Sequence, residues 1–171
     1  MTKAKTPPAE NDALMTLFTN ELRDIYWAEN KLCKTLPKLA SKANSPQLKE
    51  AFSSHLEETK NHVARLEQIF ALLELKVKAV KCDAMAGLIE EGEGLIKEFA
   101  KSHALDAALI AAAQKVEHYE IATYGTMRAF AKRLGLGAAV TLLTQSINEE
   151  GAADKKLTKI AESKANIKAQ E

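Results

Sequence analysis

The sequence predicts an all-α protein: four long helices in a bundle, with one long crossover that contains a short fifth helix. Three observations carry this expectation. Apolar residues recur at alternating steps of four and three over four long stretches, the spacing of one helical face. No stretch alternates apolar and polar residues as a half-buried strand would. The chain is 46% hydrophobic and 27% charged, with seven Gly and four Pro, a globular and helix-favouring balance. At 171 residues it is long enough for one domain with a substantial core and too short for two ordinary ones.

Residues 1–11 read as a polar, Pro-containing tail, residues 12–165 as a single bundle domain, and residues 166–171 as a C-terminal tail. Asn11 or Asp12 is a plausible cap for a first helix running to about Asn44. Its stripe is Phe18, Leu22, Ile25, Glu29, Leu32, Leu36 and Leu39. Pro37 lies inside that run and should kink the helix or mark a break. Ser45-Pro46 combines an N-cap with Pro at the first helical position. The second helix then runs to about Leu75, with Leu48, Phe52, His55, Thr59, His62, Leu66, Ile69 and Leu73 in step.

The short helix spans Ala84 to Phe99, and its Gly87, Gly92 and Gly94 lower its propensity. A third long helix extends from near Ala104 to Leu134, where Gly135 and Gly137 stop it. Its stripe includes Leu105, Leu109, Ala112, Val116, Glu120, Thr123 and Met127. The last helix follows with Leu136, Val140, Leu143, Ile147, Glu150, Asp154, Leu157 and Ala161. Two antiparallel hairpins joined by a long crossover make the ferritin-like arrangement.

Charge and cysteine content narrow the function classes. The 24 basic and 23 acidic residues do not give the basic excess of a nucleic-acid surface. Lys155, Lys156, Lys159, Lys164 and Lys168 read as a solvated helix face. Cys33 and Cys82 are too few for a disulfide framework and lack CxxC spacing, which fits a reducing compartment. The N-terminal stretch has no apolar signal region, and no later stretch approaches 18 uncharged apolar residues. The expectation is a cytoplasmic protein with no membrane segment.

Acidic residues interrupt the apolar stripes of all four long helices. Glu29, Glu120 and Glu150 lie within them, Glu58 sits just beside one, and Glu117 lies about one flank away. Asp154 is near the centre of the last stripe, whereas Glu149 is turned about a third of the way round, Glu57 faces outward and His118 points to solvent. Buried carboxylates without a cation cost several kcal/mol each. Level along the bundle gives an independent check. Glu29 and Glu58 lie about fifteen and fourteen residues from the first turn, Glu120 and Glu150 about sixteen and fourteen from the Gly135 turn, so the mismatches are a few ångströms.

All four acids can therefore meet in one plane, and no Lys or Arg falls in the seam at that level. Hard carboxylates with one or two imidazoles suit iron or manganese, and glutamates from facing helices can bridge two metals. The alternative is a polar layer of hydrogen-bonded acids and histidines in an ordinary bundle. His55 and His62 bracket Glu58, and the spacing favours one of them as a ligand rather than both. Cys33 reads as a small core filler, and Tyr26, Tyr119 and Tyr124 as packing residues.

HLEET at 55–59, KCDAMAGLIEE at 81–91, AALIAAAQKVEHYEIATYGT at 107–126 and NEE at 148–150 resemble the YciE/YciF-like ferritin-like family, bacterial proteins associated with stress responses. The similarity runs from about Leu14 to Ala161. It implies a ferritin- or rubrerythrin-like bundle, a homodimer, and a dinuclear metal site with two irons, or alternatively manganese, per chain. The matching acids are Glu29, Glu58, Glu117, Glu120 and Glu150, with His55 from the HLxET motif. Family members commonly carry an amide where this chain has His62. The Glu-x-x-His pairs of ferritin-like enzymes would need His at 61 and 153, where Asn61 and Ala153 stand, and the last helix offers Asp154 instead.

Two functions fit this pattern. One is a dinuclear metal protein that reacts with O2 or peroxide, its electron donor not readable from sequence. The other is a metal-holding or structural stress protein without turnover.

Overall fold

The computed structural model describes residues 13–171, so the Asn11 or Asp12 cap and the tail over 1–11 lie outside the described residues. The elements are α1 (Ala13–Lys42), α2 (Pro46–Leu72), α3 (Asp83–Glu98), α4 (Leu105–Leu134) and α5 (Gly137–Ile160). The chain then continues as a π-helical turn, Ala161–Ala165, and a final helical turn α6, Asn166–Lys168. The stretch expected as a tail from residue 166 thus begins in helix. No strand occurs among the described residues. No helix among them is long and apolar enough to cross a membrane.

Helix α1 packs on α2 and α4, and α5 packs on α4 and α2, which closes a four-helix bundle. The crossover from α2 to α4 carries α3, which packs chiefly on α4. This is the expected four-helix bundle with a fifth helix in its long connection. Because α4 has neighbours on three sides, its buried face is wider than a single stripe and includes Asp106, Ala113, Glu117 and Tyr124.

Local chemistry explains the boundaries. Gly135 adopts a left-handed φ of 73°, a conformation open to glycine, and the Leu136 amide bonds back to the Ala131 carbonyl to close α4. Pro46 opens α2 as expected, but Ser45 makes no side-chain cap. Asp106 of α4 serves instead, accepting from the Asn44 and Ser45 amides at 2.7 and 2.8 Å. Pro37 does not break α1: it lies on the exposed face of one continuous helix, where its missing amide costs least. The Cys82 sulfur caps α3 by accepting from the Met85 amide at 3.2 Å.

The apolar core is in two parts. Phe18, Leu22, Ile25, Leu66, Ile69, Phe70, Met127 and Leu143 pack towards one end of the bundle. Leu36, Leu48, Phe52, Leu105, Leu109 and Leu157 pack towards the other. Between them, each bundle helix places at least one buried acid or histidine.

Candidate metal centre

Each bundle helix contributes to that middle layer. Glu29 comes from α1, His55 and His62 from α2, Glu117 and Glu120 from α4, and Glu150 from α5, and all are at most 6% exposed. His55 and His62 are two helical turns apart, and Glu117 and Glu120 less than one, so each pair shares a face.

These side chains form two groups. One donor atom from each of His55, Glu117, Glu120 and Glu150 lies within 4.8 Å of the others, and the same holds for Glu29, His62 and Glu150. Glu150 belongs to both. Nε2 of His55 is 3.3 Å from Glu117 Oε1 and 3.5 Å from Glu150 Oε2. Nδ1 of His62 is 2.9 Å from Glu150 Oε1 and 3.3 Å from Glu29 Oε1, but neither contact is aligned as a hydrogen bond.

Each imidazole is held from behind by a further carboxylate. Nδ1 of His55 is 3.1 Å from Glu58 Oε2, and Nε2 of His62 is 2.8 Å from Glu149 Oε2. Glu149 is itself gripped by Arg65 through two bonds of 2.6 and 2.7 Å. An ionised carboxylate only accepts, so these histidine nitrogens carry the protons and the opposite nitrogens face the cluster. Tyr124, fully buried, donates its hydroxyl hydrogen to Glu29 Oε1.

The electrostatics follow from burial and from these pairings. Burial pushes the Glu117 carboxyl well above the ordinary value, with His55 opposing it. Glu120 is also pushed well up, by burial and then by the charges of Glu150, Glu29 and Glu117. Burial raises Glu150, against the pull of His62. Burial alone would lower His55, yet the Glu58 bond and the Glu117 charge outweigh it and raise the imidazole. In His62 burial is likewise outweighed, by the close Glu150 and Glu29 carboxylates, and the pKa is pushed up to about 11. The outer acids go the other way: His55 lowers Glu58, and for Glu149 burial is overcome by Arg65 and His62.

Among the described residues, the buried side-chain atoms left without a hydrogen bond are concentrated here. They are Glu29 Oε2, His62 Nδ1, Glu117 Oε2 and both oxygens of Glu120 and of Glu150, with Arg23 Nε the exception elsewhere. Buried polar atoms are normally paired. A set of convergent, unpaired oxygen and imidazole donors fits a bound cation.

The structure brings together Glu29, Glu117, Glu120, Glu150 and His55, and it adds His62 on equal terms. Glu117 was placed a flank away by its helical angle, but that flank meets His55 of α2, and Glu117 is 3% exposed. Glu58 stands apart from both groups, with its side chain 41% exposed, and touches the cluster through His55. Asp154 also stands apart, accepting from Gln114 Nε2 at 2.9 Å. Glu57 is exposed and pairs with Lys60. Sequence reasoning missed three participants: Glu149, Arg65 and the hydroxyl of Tyr124. The expectation of no nearby cation therefore needs correction, since Arg65 reaches the edge of the site. Its place three residues after His62, on the same helical face, was the available signal.

A small cleft of about 80 Å³, lined by His55, Glu58, Glu117, Ala153 and Lys156 among others, opens from this layer between α2 and α5.

Fold and site together define a helical-bundle protein with a buried histidine–carboxylate cluster that could hold metal. The chain matches the family described as Domain of unknown function (DUF892) over residues 13–170, and it belongs to that family. It is 46% identical to Protein YciF of Escherichia coli (strain K12) over 155 residues, covering 90% of this chain and 93% of YciF. The crystal structure of the E. coli stress protein YciF superposes with a TM-score of 0.86 at 45% identity, covering 91% of this chain and 98% of that one. YcfI from Rhodopseudomonas palustris matches with a TM-score of 0.84 at 44% identity, covering 87% and 95%. A protein of Xanthomonas campestris pv. campestris shares the fold at 19% identity, with a TM-score of 0.67 over 93% of this chain and 97% of that one. The resemblance to YciF-like proteins read from the motifs is thus supported over nearly the whole chain.

Proposed function

We propose that this chain holds two divalent transition-metal ions, iron or alternatively manganese, in the middle layer, and uses them to react with O2 or peroxide under stress. The stress context rests on likeness to E. coli YciF, which is described as a stress protein. The observation that carries the metal reading is the convergence of unpaired buried donors on Glu150. Charge agrees. Glu29, Glu117, Glu120 and Glu150 are the buried glutamates among the described residues, so four carboxylates carry −4 when ionised, and two divalent ions carry +4. Hard oxygen donors with one imidazole in each group suit iron or manganese better than softer-ligand metals.

Glu29 and His62 would hold one ion, His55, Glu117 and Glu120 the other, and Glu150 would be shared. Bound metal supplies one-electron redox change and Lewis acidity. The chain's own residues do the rest. Glu149 and Glu58 fix the orientation of the two imidazoles, as outer carboxylates do for metal-binding histidines. Tyr124 fixes the Glu29 carboxylate.

A metal-holding protein without turnover is the second reading, favoured by the deep burial of the donors. The cleft beside His55 and Glu117 favours reaction, since it gives a small molecule a way in. Elemental analysis after expression with iron, paired with a peroxide-consumption assay, tests both. About two metals per chain are expected, and under about 0.2 per chain would remove the metal reading. Full loading without peroxide or O2 consumption would leave the holding role.

A further inference from the structure

His55 and Glu117 are reached from two sides. The polar cleft between α2 and α5 is one approach. The other is an apolar cleft of about 40 Å³ among α1, α3 and α4, and the same two side chains line it. Leu36, Ile89, Ala113 and Val116 are among its buried walls. Thr35, half buried, and Glu93, exposed, mark its outer end. Gly92 forms part of the wall, and a Cβ there would meet the Ala112 Cβ at 3.3 Å. The absence of a side chain at Gly92 thus keeps α3 and α4 close while sparing the cleft.

Water is a poor occupant. A buried water needs two to four polar partners, and between rim and floor the walls offer carbon. At roughly 10–15 Å³ for each water-sized group, the space admits about three such groups in sequence, more than a diatomic gas requires. The floor is polar: Glu117 is 3% exposed, and its Oε2 has no hydrogen-bond partner. A molecule that fits has an apolar body of about two or three carbons and one polar end.

We propose that this cleft binds a short unbranched aliphatic chain with an oxygen head group, the head meeting Glu117 and His55. This names a substrate class for the proposed metal centre and rests on that reading for its chemistry. The binding itself needs no metal. Small polar reactants and protons then use the α2–α5 cleft, and the alkyl chain enters beneath α3.

Metal-free protein is titrated with the n-alkanols from ethanol to 1-hexanol while the methyl resonances of Leu36, Ile89 and Val116 are followed by NMR. Saturable shifts at these methyls are expected, tightening about fourfold per methylene up to 1-propanol and levelling beyond it. Thr35→Phe narrows the rim and Gly92→Ala the wall, and each should weaken 1-propanol at least about threefold. Gly92→Ala also raises helix propensity, so it decides the matter if the bulkier variant fails to fold. No saturable shift, or binding untouched by both variants, overturns the proposal. Shifts of the same methyls on dilution of the protein alone overturn it too, because a second copy would then cover the cleft. Metal uptake is measured on the same preparations. Alkanol binding without metal uptake upholds the cleft and removes the metal reading, and uptake without alkanol binding does the reverse.

Discussion

His55 and His62 approach one carboxylate with opposite ring nitrogens: Nε2 of His55 lies 3.5 Å from Glu150 Oε2, and Nδ1 of His62 lies 2.9 Å from Glu150 Oε1. Each ring can do so because a carboxylate on its far side, Glu58 or Glu149, accepts a hydrogen bond from the other nitrogen. The two rings are therefore pre-oriented before any cation arrives. Ordering that would otherwise oppose binding is already in the fold.

Glu149 is the stronger of these two holds, because Arg65 clamps it. Glu149→Ala should weaken metal binding about 10- to 100-fold, the usual effect of losing an outer-shell partner. Glu57→Ala should leave it unchanged, since Glu57 is exposed and pairs only with Lys60. Chelator competition reads both. Equal affinities for the two variants would show that the Glu149–His62 bond does not orient a ligand.

How far the sequence reached is visible in these same residues. Glu29, Glu120 and Glu150 announce themselves because an acid in an apolar stripe violates the helical pattern and has to be explained. Their common level follows from counting residues to Ser45-Pro46 and Gly135, where the turns fall. Helical angle alone misplaced both Glu117 and Glu149, and for one reason. Helical angle is a property of one helix alone, and Glu117 is buried against His55 of a different element, α2. Glu149 does face away from the seam, but Arg65 and His62 reach across from α2 to meet it, which no single-helix projection contains. The Asp106 cap on the start of α2 was invisible for the same reason, lying some sixty residues away in sequence.

The shared position of Glu150 makes it the residue whose loss should cost most metal. Glu150→Ala removes a donor from both groups and should abolish most binding at both. Glu58→Ala should cost less, about tenfold, because Glu58 acts through His55 from the rim. Metal-to-chain ratios at fixed free metal separate the two, and a Glu58 variant as deficient as the Glu150 variant would move Glu58 into the ligand set.

Tyr124→Phe tests the hydrogen bonding behind Glu29. The ring stays, so packing is conserved, but a buried carboxylate loses the hydroxyl that donates to it while its other oxygen is already unpaired. Leaving a buried acceptor unsatisfied costs about 1–3 kcal/mol. Chemical denaturation of metal-free protein should show that loss, and no change in stability would mean that the carboxylate is protonated or hydrated in the apo state.

The last prediction concerns pH. Without metal, Glu117, Glu120 and Glu150 hold protons more tightly folded than unfolded, because burial raises them. Stability from that source falls once pH exceeds the unfolded carboxylate value, about 4.3, and keeps falling towards the shifted values. His55 and His62 are also raised. A raised histidine contributes fully below the unfolded value of about 6.5 and loses its contribution as pH rises through the folded one, which for His62 is about 11. Glu58 and Glu149 are lowered, so their contribution is lost only in acid and stays flat at neutral pH. The apoprotein should therefore lose stability steadily from about pH 5 to pH 8. Metal binds the deprotonated ligands, so its affinity grows over the same interval. At free metal about 100-fold above Kd it adds about 2.7 kcal/mol to the folded state. Thermal unfolding of apo and loaded protein should thus diverge with rising pH, and curves that coincide at every pH would mean that the buried acids form a polar layer rather than a metal centre.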